Sequence, residues 1–307
     1  MRFSATIAIY HSDYGGMKMI LDFVRFETTD GIELQGWLSD TPSDTAVIHI
    51  HGMSGNGYEN GFLDTLHDEL AAKDVSFFAI DTRGRGIISS FWQKAELSRW
   101  GEGTKLGGSC FEVFEECVHD IQGAINYLKT RGKTKFILQG HSLGCTKVVH
   151  YMNTQDTSDI AKVILLAPTD MVGWASRDSN HEMYVSKAKQ LIADGKPTEL
   201  VGAQCWPDET PLSAQSYLSI CVAGTAADIY GERDGTTLLG SVTKPMLIIY
   251  GNSDIGITEI DGTIDVWQAR TEKIINATTH IAIVNGASHS FKNYEAKLAN
   301  QISEFVK

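Results

Sequence analysis

Apolar and polar residues alternate from Phe23 to Thr28 and again from Ile32 to Leu38, on either side of Asp30-Gly31. A period of two around a turn dipeptide predicts an antiparallel hairpin with one buried face, placed at a sheet edge. Beyond it the pattern changes. Short apolar runs at Thr45–His51, Val75–Ile80, Lys135–Gly140, Val163–Ala167, Met246–Tyr250 and Ile281–Val284 read as strands, several of them covered on both faces. Between them apolar residues recur at three and four: Phe62, Leu66 and Leu70 within about Glu59–Lys73, then Phe114, Val118, Ile121, Ile125 and Leu128. Leu143–Met152, Ile264–Ile275 and Phe291–Phe305 suit further helices, the last with Tyr294, Leu298, Ile302 and Phe305 on one face. A β-rich start followed by repeated βα units predicts an α/β fold, a mostly parallel sheet with helices on both faces.

Two stretches break the alternation. Ile87–Gly108 has no clean period and contains Trp92 and Trp100, which suggests a long loop over the site. From Thr169 to about Thr243 the pattern dissolves into helical patches, Met183–Ala193 and Leu212–Cys221 among them, with Trp174, Tyr184, Trp206, Tyr217 and Tyr230 scattered through. This segment reads as a helical cap inserted after the sixth strand, so that residues 1–168 and 244–307 form the core and 169–243 the cap. Its aromatics are expected mostly to pack cap onto core, with one or two left to line a pocket.

At 307 residues and 42% apolar content the chain suits one large α/β domain with an elaboration. A formal charge of −12 works against nucleic acid and anionic membrane surfaces. The five cysteines, at 110, 117, 145, 205 and 221, have no metal-type spacing and read as reduced thiols, which fits a cytoplasmic protein. The patch Phe3–Tyr10 is short for a secretory signal and is better read as an extra strand or a start-site extension. No apolar run approaches the roughly 18 residues that span a bilayer.

The candidate chemistry centres on Gly140-His141-Ser142-Leu143-Gly144, a G-x-S-x-G pattern between an apolar strand and a helix. A serine hydroxyl attacks well when a tight turn holds it clear of the backbone, and the two glycines permit that turn. With this context the chain resembles the α/β-hydrolase superfamily, in the manner of a carboxylesterase or lipase with a cap insertion, from about Phe23 to Val306 apart from the insert. The run His51-Gly52-Met53-Ser54-Gly55-Asn56 resembles a poorly characterised subgroup of that superfamily, which supplies no substrate. The resemblance implies an eight-stranded-type sheet and the chain order Ser, then Asp or Glu, then His, each on a loop at the carboxyl end of a strand.

Ser142 needs a base and an acid to orient that base. Of the ten histidines, His289 alone follows the last expected strand, in Gly286-Ala287-Ser288-His289. Asp254 follows Met246–Tyr250, with Asp261 in reserve. His141 touches the nucleophile in sequence, but neighbours on an elbow point in different directions, so it is expected to support the turn. The resemblance puts the oxyanion donors on the backbone of Leu143 and Met53, with His51 shaping that loop. Glycines 52, 55 and 57 could suggest a phosphate cradle, but no Lys-Ser or Lys-Thr pair follows and no G-x-G-x-x-G opens a helix. The expectation is a cofactor-independent serine hydrolase without a bound metal, acting on a small-molecule ester. Acyl transfer, thioester cleavage and non-catalytic ligand binding stay open as alternatives, as does association of like chains.

Overall fold

The computed structural model describes residues 6–9, 20–99, 101–205 and 210–307. Trp100 and Trp206 lie outside them. Nine strands form the main sheet: β1 (Thr6–Ile9), β2 (Ile20–Glu27), β3 (Glu33–Ser39), β4 (Thr45–Ile50), β5 (Ser76–Ile80), β6 (Lys135–His141), β7 (Ile160–Leu166), β8 (Met246–Gly251) and β9 (Thr279–Val284). Their order is β1-β2-β3-β5-β4-β6-β7-β8-β9. The first three pair antiparallel, β3 meets β5 antiparallel, and every pair from β5 to β9 is parallel. One strand exceeds the eight expected from the resemblance, because Thr6–Ile9 adds to the edge beside Ile20–Phe23.

The hairpin turns where the alternation breaks, with Gly31 at φ 79°, a conformation that glycine adopts without penalty. β4 and β5 are buried at nearly every position because helices cover both faces of the sheet. The helices are α1 (Phe62–Ala71), α2 (Cys117–Thr130), α3 (Leu143–Thr154), α4 (Met171–Ala175), α5 (His181–Ala193), α6 (Ala214–Ile220), α7 (Ile255–Thr258), α8 (Ile264–Glu272) and α9 (Glu295–Val306). α1 packs with α9, and α2 with α3. α1 begins three residues later than its apolar spacing suggests. Asn56 accounts for this: it accepts from Tyr58 N–H at 3.0 Å and donates to Glu59 at 2.8 Å, holding that stretch as a turn. α9 likewise starts after Phe291 and Asn293, both at positive φ.

The stretch from Ile87 to Gly108 is more ordered than its sequence suggests. Ser89–Trp92 pairs antiparallel with Thr104–Gly107. The hairpin is anchored on the β2–β3 corner through the Ile32 and Gln93 bridge, a 3.1 Å bond from Lys94 N–H to Gly31 O and the Lys94–Glu27 ion pair. Between β7 and β8 stand α4, α5 and α6, together with two short hairpins that the sequence pattern did not indicate, Leu200–Cys205 with Thr210–Ser213 and Glu232–Arg233 with Thr236–Thr237. Apolar side chains of α4, α5, α6 and the first of these hairpins form a second core with Phe114 and Leu143, while Ile229, Leu239 and Val242 around the second hairpin join the core of the main sheet.

The sheet delivers the loops after β4, β5, β6, β7, β8 and β9 to one end, because these strands run parallel. Close approach at that end depends on Gly144, where a Cβ would sit 2.1 Å from Ile50 O, and on Gly140, where it would sit 2.4 Å from Cys145 N. Both obstacles are backbone, so neither can swing away. Gly144→Ala should therefore destabilise the fold by about 2 kcal/mol or more, in line with other core overpacking, and urea unfolding checks it.

Burial also sets a pH dependence. His67 packs edge-on to Phe77 at 4.7 Å, bonds to Ser39 Oγ at 3.0 Å, and has its pKa pushed down to about 3 by burial. The unfolded ring, with a pKa near 6.5, binds the proton that the folded ring refuses. Stability from this group is full above pH 6.5 and falls as pH drops towards 3. In His67→Asn the stability curve from urea titrations should flatten over that window, by at most about 1.4 kcal/mol per pH unit.

Candidate active site

Ser142 stands between β6 and α3 with φ 56° and ψ −126°, a conformation that an L-residue adopts only under constraint. Its N–H donates to Leu166 O at 2.9 Å, which locks the elbow to β7. The side chain is 7% exposed, and its Oγ lies 3.2 Å from Thr169 Oγ1. Cys145, one turn into the helix, is buried with its Sγ 3.2 Å from Leu166 O, and burial raises its thiol pKa well above the usual range. It is a packing thiol.

Asp254 and His289 come together from the loops after β8 and β9, with Nδ1 of the imidazole 2.9 Å from Oδ2 of the carboxylate. The carboxylate is fully buried; its other oxygen accepts from Gly256 N–H at 2.8 Å, capping α7. The ring keeps some exposure. Asp261, the reserve acid, is engaged elsewhere: it pairs with Arg270 at 2.9 Å. The same guanidinium pairs with Asp170 at 2.8 Å and lies over the Tyr230 ring at 4.7 Å.

His141 supports the site from below. Its Nε2–H donates to His289 O at 2.9 Å, and its ring packs 5.0 Å from the His289 ring and 5.4 Å from Phe62. Burial, helped by the nearby His289, lowers its pKa to about 3, so it stays a neutral donor. This contact brings the loop carrying His289 to the residue adjoining Ser142.

The loop after β4 lies against the elbow. A Cβ on Gly52 would sit 2.7 Å from Ser142 Cβ, so glycine is required there. His51 shapes the loop: Nδ1 lies 2.7 Å from Gly52 O, while Nε2 lies 3.0 Å from Thr82 N and accepts its proton. Its pKa falls to about 4, chiefly through burial and then the charge of Lys147. Leu143 opens α3, so its N–H has no acceptor within the helix. Ser54, at φ 56°, ties the loop outward through Ser109 Oγ at 2.7 Å and Thr210 Oγ1 at 3.1 Å.

Several residues beside the site escaped sequence reasoning. Thr169 follows the last residues of β7, and only its place after Pro168 hints at it. Tyr230 and Tyr250 both donate to Pro168 O and hold that turn, in which Ala167 has φ 50°. Lys147 and Glu112 form a buried ion pair beside the turn after β5, where Lys147 Nζ lies 3.3 Å from Thr82 Oγ1. Among the described residues there is no group of His, Cys, Asp and Glu able to hold a metal ion, and no helix is long and apolar enough to cross a membrane.

Residues 97–307 match the model of a family described as a protein of unknown function, DUF1749. No curated protein matches the chain in sequence. Among solved structures it is similar to Est1E from Butyrivibrio proteoclasticus with ferulic acid bound, at 18% identity and a TM-score of 0.60, covering 91% of this chain and 96% of that one. It is similar to the esterase Pf2001 from Pyrococcus furiosus, at 16% identity and a TM-score of 0.59, with 99% and 98% covered. It is also similar to the α/β hydrolase GrgF from Penicillium sp. sh18, at 16% identity and a TM-score of 0.63, with 93% and 97% covered. The chain belongs to the DUF1749 family, and its fold is that of the α/β-hydrolases.

Proposed function

We propose that this protein is a serine hydrolase that cleaves a carboxylic ester through an acyl-enzyme. The observation that carries the reading is the 2.9 Å contact between His289 Nδ1 and the buried Asp254 carboxylate, on loops at the sheet end where Ser142 occupies its constrained elbow. A carboxylate on Nδ1 keeps the proton there and leaves Nε2 as the base. His289 Nε2 would take the Ser142 proton as Oγ adds to the ester carbonyl, then give it to the departing alcohol. Water, deprotonated by the same ring, would release the acid. Met53 and Leu143 N–H groups would hold the tetrahedral oxyanion.

Further support comes from the fold. Two of the similar structures carry esterase or hydrolase in their descriptions, one of them an esterase covering nearly the whole of both chains. In this reading residues 169–243 act as the cap, seating their apolar cluster on Leu143 beside the nucleophile. No step calls for a cofactor.

Intact-mass analysis after fluorophosphonate treatment tests the nucleophile: one adduct per chain, mapped to Ser142 and lost in Ser142→Ala, is expected. A folded wild type that takes up no label overturns the reading. For the acid, Asp254→Asn should lower kcat on a p-nitrophenyl ester by about 10⁴-fold, as in other triads, while Asp261→Asn should leave kcat within a few-fold. The reverse pattern would reassign the acid.

A further inference from the structure

Lys147 and Glu112 are the most deeply buried ion pair among the described residues, 1% and 0% exposed, with Nζ 2.5 Å from Oε1. Burying such a pair costs more than an apolar contact of the same volume returns, and the hydrolytic chemistry proposed above does not use it. Its connections run in one direction. Lys147 Nζ lies 3.3 Å from Thr82 Oγ1, and an ammonium only donates. Gly84 N–H donates to the same oxygen at 3.3 Å. With its lone pairs engaged, the Thr82 hydroxyl directs its single proton to His51 Nε2, 3.1 Å away, beside the bond from its own backbone N–H. Nε2 is then an acceptor, so Nδ1 carries the ring proton and donates to Gly52 O at 2.7 Å.

The consequence falls on the next atom. In a trans peptide C=O and N–H point in opposite directions, so holding Gly52 O on the His51 ring at 2.7 Å, alongside the longer 3.2 Å bond from Gly55 N–H, aims Met53 N–H the other way. Lys147 sits on α3, the helix whose first N–H belongs to Leu143. The chain of donors therefore ties the element carrying one oxyanion donor to the loop carrying the other. Thr82 and His51 are fully buried as well, so the relay is shielded from bulk solvent.

We propose that the Lys147–Glu112 pair is a positioning device, acting through Thr82 and His51 to fix the Met53 N–H relative to the Leu143 N–H. The catalytic part of this rests on the serine-hydrolase reading; the relay itself does not. Lys147 is thus a positioning residue, and Glu112 keeps its ammonium in place inside the fold. Glu112 Oε2 has no hydrogen-bond donor among the described residues, so the attachment to Lys147 is a single contact.

The test uses Lys147→Met/Glu112→Leu, which removes both charges and leaves neither unpaired, and Thr82→Val, which breaks the relay with the pair intact. Replacing a buried pair by apolar groups often leaves stability unchanged or raised, and thermal unfolding checks this. On a p-nitrophenyl ester both variants should lose kcat by about 10- to 100-fold, less than or comparable to deletion of an oxyanion donor, with KM within about two-fold. Thr82→Ser, which keeps the hydroxyl, should restore most of kcat. In ¹⁵N imidazole spectra the His51 Nε2 resonance should shift in both variants and return in Thr82→Ser. A folded double variant with wild-type kcat and an unmoved His51 resonance overturns the proposal. If wild type shows no Ser142-dependent turnover, the hydrolase reading fails, and the His51 resonance alone decides the relay.

Discussion

The end of the sheet that carries Ser142 depends on how closely α3 approaches the end of β4. At Gly144 a single methyl group would meet Ile50 O at 2.1 Å, and at Gly140 the elbow folds back on the amide of Cys145. That approach fixes Ser142 in a strained conformation, presents the first turn of a helix, and brings Gly52 against the serine Cβ. Strain of this kind costs about 1–3 kcal/mol and persists only where surrounding structure over-determines it. Here the surroundings are β4, β6 and β7, buried along nearly their whole length. The sheet core holds the elbow, and the elbow sets where every other loop must arrive.

Buried histidines act at this end as directional donors. Burial drives the pKa of His51 to about 4 and of His141 to about 3, and holds His49 well below its usual value. A neutral imidazole has one proton and one lone pair, so each hydrogen bond it makes has a fixed sense. His141 joins the elbow to the backbone of His289, and His51 joins the turn after β5 to the peptide beside Ser142. His49 pairs with Gln139 Nε2 at 2.9 Å inside the sheet. Imidazoles that charged at neutral pH would repel one another here, since His49, His51 and His141 each feel a neighbouring ring.

What was legible in the sequence follows from which signals are local. The hairpin around Gly31, the covered strands and the apolar faces of α2 and α9 are periodicities, and they match the fold to within a few residues. The positions of Ser142, Asp254 and His289 on loops after strands were legible, and the last two meet at 2.9 Å. The start of α1 was not, since Asn56 holds its turn through side-chain bonds that compete with helix. The hairpins at 89–107 and 200–213 lack strong alternation and owe their pairing to neighbouring elements. Lys147 was least visible: in the sequence it is one lysine in a helix, and its counter-charge lies 35 residues earlier, across α2 and β6.

Arg270 shows how a residue far from Ser142 separates the surroundings of Asp254 from those of Asp261. Its guanidinium joins Asp170, which caps α4, to Asp261, which follows α7, and rests on the Tyr230 ring. Tyr230 in turn donates to Pro168 O, next to the threonine whose hydroxyl meets Ser142. Asp261 is thereby committed to a cation on α8, whereas Asp254, before α7, is buried against a backbone N–H and an imidazole. Two aspartates seven positions apart thus differ in what they can do because one is neutralised by an arginine and the other is not. The arginine that pairs with Asp261 also braces the turn carrying Thr169 against the loops after β8, so the surroundings of Asp261 and of Ser142 share one support.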